Sequence, residues 1–149
     1  KKIKKKLFIK LSPDIQNNEI SNIIEILLKF KIDGIIISNT SNINRKNLID
    51  QKKTEKGGLS GLPIKDLSTS LIKIFYRKIK NKIPIIGVGG VDSGKSAFEK
   101  ISAGALAVQL YTGMVYNGPS VVSEIKKDLI FTLKKEKFKN IREVVGINA

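Results

Sequence analysis

The 149-residue chain has no cysteine, no histidine and no tryptophan, only one methionine and four prolines. Lack of cysteine excludes disulfides and thiolate-ligated metals. Lack of histidine removes the commonest metal ligand and the commonest general base, so neither a zinc centre nor a histidine-based triad can be built from this segment. Acidic residues are scarce as well, 13 Asp and Glu against 28 Lys and Arg, which gives a formal charge of +15. No apolar run is long enough to span a bilayer, and no signal-peptide core follows the opening KKIKKK. The length suits one ordinary core but falls short of the roughly 250 residues of an eight-stranded barrel. With no initiator Met, this is the expectation of a partial chain.

A large positive charge raises nucleic acid as a partner, because Lys and Arg supply the phosphate-neutralising part of such binding. Here the charge is spread over KKIKKK, Lys29 and Lys31, Lys52 and Lys53, residues 77–82 and residues 134–139, mostly at helix ends and loops and mostly as Lys. Few aromatics sit beside basic residues, Phe75, Tyr76 and Phe138 among them, which is poor stacking material for a nucleic-acid face. The distribution disfavours nucleic acid and fits a Lys-, Ile- and Asn-biased composition.

The apolar run at residues 7–11 ends in Ser12-Pro13-Asp14, as a buried strand entering a loop does. Ile20, Ile23, Ile24, Leu27 and Leu28 then recur along one helical face, with Asn17 or Asn18 available as cap and Glu19 in the first turn. Residues 34–38 are apolar on both faces, the signature of a parallel strand covered on both sides. A long polar stretch, residues 39–66, is too irregular for one element, and loops of that length are usually functional or disordered. A second amphipathic helix is predicted from about Ser68 to Lys80, burying Leu71, Ile72, Phe75 and Ile79.

Residues 83–113, IPIIGVGGVDSGKSAFEKISAGALAVQLYTG, read as two successive β/α units. A strand meets Gly89 and Gly90, Asp92 and Ser93 cap a helix that stops at Gly104, and a second strand ends in Tyr111-Thr112-Gly113. Glycines after a buried strand let backbone N–H groups approach an anion, and helix N-termini add partial positive charge there. Gly118-Pro119 opens a last long helix, with the proline near its first position, and residues 141–145 suggest a short terminal one. Four strands, each followed by helix, predict an α/β fold of the TIM (β/α)8 type, of which residues 1–149 supply the last four β/α units. In such barrels the phosphate site often lies at the loops after strands seven and eight. Half a barrel would leave two sheet edges open, so low stability is expected of this segment alone.

Candidate site residues stand at the strand ends, where barrels build their active sites. Lys10, inside an apolar run, points either outward with its stem snorkelling over a helix or inward toward a ligand. Ser38-Asn39-Thr40 places three hydrogen-bonding side chains directly after a strand, a pattern that also simply starts loops. Gly57-Gly58-Leu59-Ser60-Gly61 offers close backbone approach or a turn.

Six motifs, IKLSPD (9–14), DGIIISNT (33–40), KGGLSG (56–61), IPIIGVGGVDSG (83–94), AGALAVQLYTG (103–113) and YNGP (116–119), resemble in order and spacing the C-terminal half of a dihydroorotate dehydrogenase of the class 2, quinone-dependent branch. The resemblance covers essentially the whole chain. It implies an FMN enzyme of pyrimidine synthesis that oxidises (S)-dihydroorotate to orotate and passes electrons to a quinone. Carried over by position, Lys10 would contact the flavin where negative charge gathers on reduction, which favours its inward orientation. Ser38 would also touch the flavin, and Gly61 and Gly90 would let the backbone approach it. Gly89, Gly90 and Val91, with Tyr111 and Thr112, would hold the FMN phosphate. Asn39 and Thr40 would bind the substrate, whose edges need donors and acceptors.

The same resemblance implies that the catalytic base, a Ser in class 2, lies on the first half of the barrel, so this segment carries no catalytic base and no metal site. The quinone tunnel and the helices for peripheral association with an inner membrane, bacterial or mitochondrial, would also belong to that N-terminal part. Alternatives are a soluble class 1 enzyme, a tRNA dihydrouridine synthase-like FMN barrel, a basic nucleic-acid-binding fragment, and a phosphate-binding isomerase or aldolase with Lys10 as Schiff-base residue.

Overall fold

The computed structural model describes residues 5–43, 45 and 47–149, so the first four residues of KKIKKK lie outside it. Four short strands, β1 (Phe8–Leu11), β2 (Gly34–Ile37), β3 (Ile85–Val88) and β4 (Ala107–Gln109), form one sheet in the order β1-β2-β3-β4. Every pairing is parallel, with Phe8 opposite Gly34, Ile35 opposite Ile85 and Ile86 opposite Ala107. Helices α1 (Asn17–Lys29), α2 (Lys65–Ile79), α3 (Gly94–Ser102), α4 (Thr112–Asn117) and α5 (Val121–Lys135) fill the connections and the C-terminal part.

All the helical packing falls on one face of the sheet. Leu11, Ile35, Ile37 and Ile85 point into a core completed by Ile20, Ile24 and Leu27 of α1 and by Leu71, Ile72, Phe75 and Ile79 of α2. A second cluster, Val91, Ala97, Val121 and Ile125, joins α3 to α5. On the opposite face, Phe8, Lys10, Ala107 and Gln109 are exposed, and Ile36, Ile86 and Val88 half-buried. The expectation that residues 34–38 would be covered on both sides therefore holds for one side within this chain. Ile36 and Ile86 lie half-buried on the helix-free face, the face that the other strands of a barrel enclose.

Several boundaries differ from the sequence reading for local reasons. The cap of α1 is Gln16, not Asn17 or Asn18, and its amide donates to Glu19 Oε2 at 2.9 Å. Helix α2 starts at Lys65 because a 3-10 turn, Leu62–Ile64, runs into it; Pro63 sits in that turn, where no N–H is needed. Pro119 precedes the cap residue Ser120 of α5 instead of occupying the first turn. The short α4 was not predicted; its six residues carry no full apolar period. The terminal segment is a 3-10 helix, Ile141–Val144.

The long polar stretch is organised by pairing and by one guanidinium. Ser41 and Leu59 form an antiparallel bridge, with N–H to O distances of 3.0 and 2.7 Å. Arg45 donates to the carbonyls of Lys53 (2.8 Å), Glu55 (2.6 Å) and Gly57. The excursion thus returns to its origin and delivers Ser60 and Gly61 to the ends of β2 and β3.

Candidate functional site

At the C-terminal ends of the strands lies a cleft of about 250 Å³. Its walls contain all ten residues expected at the site: Lys10, Ser38, Asn39, Thr40, Gly61, Gly89, Gly90, Val91, Tyr111 and Thr112. Lys10 takes the inward option, since it lies in register with Ile36 on the face free of helices. Among the described residues it is the only charged one in the lining, and no carboxylate accompanies it.

The first two strand ends are tied together. Asp14, closing the loop after β1, accepts from Ser41 Oγ at 2.6 Å and from the Asn42 amide at 2.7 Å. The Asn39 amide donates to the Leu11 carbonyl at 2.7 Å, and the Ser38 amide to the Val88 carbonyl at 3.1 Å. Ser38 is buried while Asn39 is exposed, so one side chain packs at the strand end and the next is free to meet a ligand. The Ile37–Ser38 peptide is cis.

The far wall is made of backbone. Gly89 and Gly90 have φ of +108° and +70°. A Cβ on Gly90 would stand 2.5 Å from Lys65 Cβ and 2.9 Å from Lys65 Cα, so only glycine lets the turn lie against the start of α2. The amides of Gly89, Gly90, Val91, Tyr111, Thr112 and Gly113 find no acceptor among the described residues. Successive free amides at positive-φ positions form a concavity suited to an anion. Lys65, behind Gly90, pairs with Glu99 at 3.0 Å and Asp66 at 3.7 Å; the hydrogen bond to Glu99 raises its pKa, partly offset by burial.

The start of α3 lies outside the lining of the cleft, and Asp92, Ser93 and Ser96 cap it. Ser93 Oγ accepts from the Ser96 amide at 3.3 Å, and Ser96 Oγ accepts from the amides of Asp92 and Ser93 at 3.0 and 3.1 Å. The cap is the predicted one, and the free donors lining the cleft come from the 89–91 turn and the segment after β4. Sequence reasoning passed over Ser60 as a lining residue: its Oγ accepts from Thr112 Oγ1 at 2.9 Å and joins the returning loop to the wall. Its only signal was its place inside KGGLSG.

The dihydroorotate dehydrogenase family profile matches residues 1–133. The chain belongs to the dihydroorotate dehydrogenase family. It is 43% identical over 142 residues to the mitochondrial dihydroorotate dehydrogenase (quinone) of Arabidopsis thaliana, covering 94% of this chain and 31% of the relative. The quinone enzyme of Natronomonas pharaonis is 42% identical over 142 residues, with 95% and 40% covered. Among solved structures, ligand-free dihydroorotate dehydrogenase from Eimeria tenella superposes with a TM-score of 0.92 at 35% identity, covering 95% of this chain and 39% of that one. This chain therefore spans between about a third and two fifths of the length of the relatives named here, and its four parallel β/α units are part of the TIM-barrel fold of that family.

Proposed function

We propose that these residues form the C-terminal half of an FMN-binding barrel whose complete polypeptide oxidises (S)-dihydroorotate to orotate, with a quinone as electron acceptor, in pyrimidine biosynthesis. The observation that carries this reading is the convergence of Lys10, the 38–40 strand end, Gly61, the 89–91 turn and the 111–112 segment on one cleft. The quinone-dependent relatives add to it. FMN, when bound, supplies the acceptor for the hydride that leaves the substrate.

This chain's residues bind and orient. The free amides of the 89–91 turn and of Tyr111 and Thr112 suit the FMN phosphate, because they donate without acceptors of their own. Lys10 offers a fixed positive charge on the helix-free face, in the lining of the cleft, where negative charge accumulates as the flavin is reduced. Asn39 brings an amide with both donor and acceptor, and Thr40 a hydroxyl, to the edge of dihydroorotate. Ser38 and Gly61 let the ring lie close to the strand ends. The base that takes the substrate's C5 proton as the hydride leaves C6, the quinone path and the peripheral attachment to an inner membrane belong, in this reading, to the N-terminal part of the protein.

An anaerobic titration of the complete, flavin-loaded polypeptide with dihydroorotate tests this function. Bleaching of the flavin band, reversed by a quinone and not by fumarate or NAD, is expected. A flavin band that dihydroorotate leaves unchanged would overturn the substrate assignment.

A further inference from the structure

Lys100 of α3 is fully buried, and its side chain runs behind the sheet, on the side away from the cleft. Gly87 makes room for it: a Cβ there would lie 3.2 Å from Lys100 Cδ, with Ile72 and Ala105 equally tight. The ammonium has three protons and three acceptors: Thr69 Oγ1 at 3.0 Å, Ser68 Oγ at 3.2 Å and the Lys65 carbonyl at 3.4 Å. No carboxylate pairs with it among the described residues. A buried ammonium without a counter-ion is a net cost to stability, and a methionine stem would fill similar volume. What the ammonium adds is direction.

That direction leads to the cleft. Ser68, with the lysine donating to its oxygen, has its own proton left for the Val88 carbonyl and lies 3.5 Å from the Ile37 carbonyl. The Val88 carbonyl also receives the Ser38 amide, and the next residues are Gly89 and Gly90. One buried cation therefore stands two hydrogen bonds from the junction where the end of β2 meets the amide-rich turn after β3.

We propose that Lys100 is a positioning residue for the cleft, which through Ser68 fixes the Val88 carbonyl and with it both the Ser38 strand end and the Gly89-Gly90 turn. That the turn serves a flavin rests on the function proposed above; that the lysine holds the turn does not.

The test uses the complete polypeptide with Lys100→Met, Ser68→Ala and the double substitution. Amide hydrogen exchange at Ser38 is read in the flavin-free protein by mass spectrometry with single-residue fragmentation, and FMN affinity by quenching of its fluorescence. Lys100→Met is expected to speed exchange at Ser38 about tenfold more than at amides in α1 or α5, and to weaken FMN binding about tenfold. Ser68→Ala is expected to match it, and the double variant to be no worse than either, because both act through one bond. Ser38 exchange that moves only in step with α1 and α5, or losses that add, would overturn the inference. A wild-type protein that takes up no FMN would instead refute the flavin reading and leave exchange at Ser38 to decide this one. Where Lys100→Met does not fold, Ser68→Ala is compared with Thr69→Ala, which removes a partner of the lysine without touching Val88. Loosening of Ser38 by Ser68→Ala alone supports the chain of bonds, and equal loosening by both overturns it.

Discussion

Burial lowers the pKa of Lys100 from 10.5 to about 8, helped by the like charge of Lys65 and opposed by Glu99 and Asp66. Below pH 8 the ammonium is protonated in both folded and unfolded chains. Between pH 8 and 10.5 the unfolded chain holds a proton that the folded one has released, so stability rises with pH across that window and levels off above it. At about 1.4 kcal/mol per pH unit, the rise attributable to this group is about 3 kcal/mol. Lys65 works in the opposite sense, because its raised pKa gives stability that is lost as the pH climbs past 10.5, but it is common to both proteins compared. Urea unfolding of the wild type and of Lys100→Met, in the complete polypeptide without flavin, at pH 7.5, 9 and 10.5 isolates the lysine. The wild type is expected to gain about 3 kcal/mol relative to the variant between the first and last of these. Parallel curves, with a difference that stays constant across the series, would refute a lysine buried at the cost of its charge.

Three further outcomes are expected. Lys10→Ala in the complete enzyme is expected to lower the rate of flavin reduction by dihydroorotate 10- to 100-fold in stopped-flow traces, the scale of one charge-assisted hydrogen bond of about 1.5–3 kcal/mol; unchanged reduction with normal flavin content would contradict the role given to it. Asn39→Ala is expected to weaken dihydroorotate binding about tenfold while FMN affinity stays within twofold, as calorimetry would read, whereas equal losses of both would point to collapse of the strand end. Gly90→Ala forces a side chain into a φ of +70° and against Lys65, so a loss of about 1–3 kcal/mol and at least tenfold weaker FMN binding are expected.

The strands and the three long helices were legible because each carries a short apolar run or a helical stripe of Ile and Leu that tertiary packing leaves in place. The cleft was legible because its residues follow strand ends directly: Ser38-Asn39-Thr40 after β2, Gly89-Gly90 after β3, Tyr111-Thr112 after β4. What escaped depends on distant partners. Nothing near Arg45 announces that it gathers three carbonyls from residues 53–57, and Ser60 reaches the wall only through the Ser41–Leu59 bridge. Lys100 sits in KSAFEKIS as an ordinary helical lysine, and only the absence of a side chain at Gly87, thirteen residues earlier and on another element, gives it a place to go. The cap at Gln16 was hidden by better capping residues beside it, because the reciprocal bond from Glu19 decides the matter.

The strictly sequential strand order has a consequence for how such a chain is made. Each strand pairs only with the one before and the one after it, Phe8 with Gly34, Ile35 with Ile85, Ile86 with Ala107. Among the described residues no ladder waits for a distant partner, so on the ribosome each of these β/α units can dock as it emerges, with local loop-closure entropy at each step, while the outer edges of β1 and β4 are left for the other strands of the barrel. The amide-rich turn after β3 forms before the segment after β4 that faces it. Assembly of the amide-rich wall of the cleft is therefore among the last events of this segment's synthesis, and a chain arrested before residue 107 would carry half of it, with β3 as a bare edge.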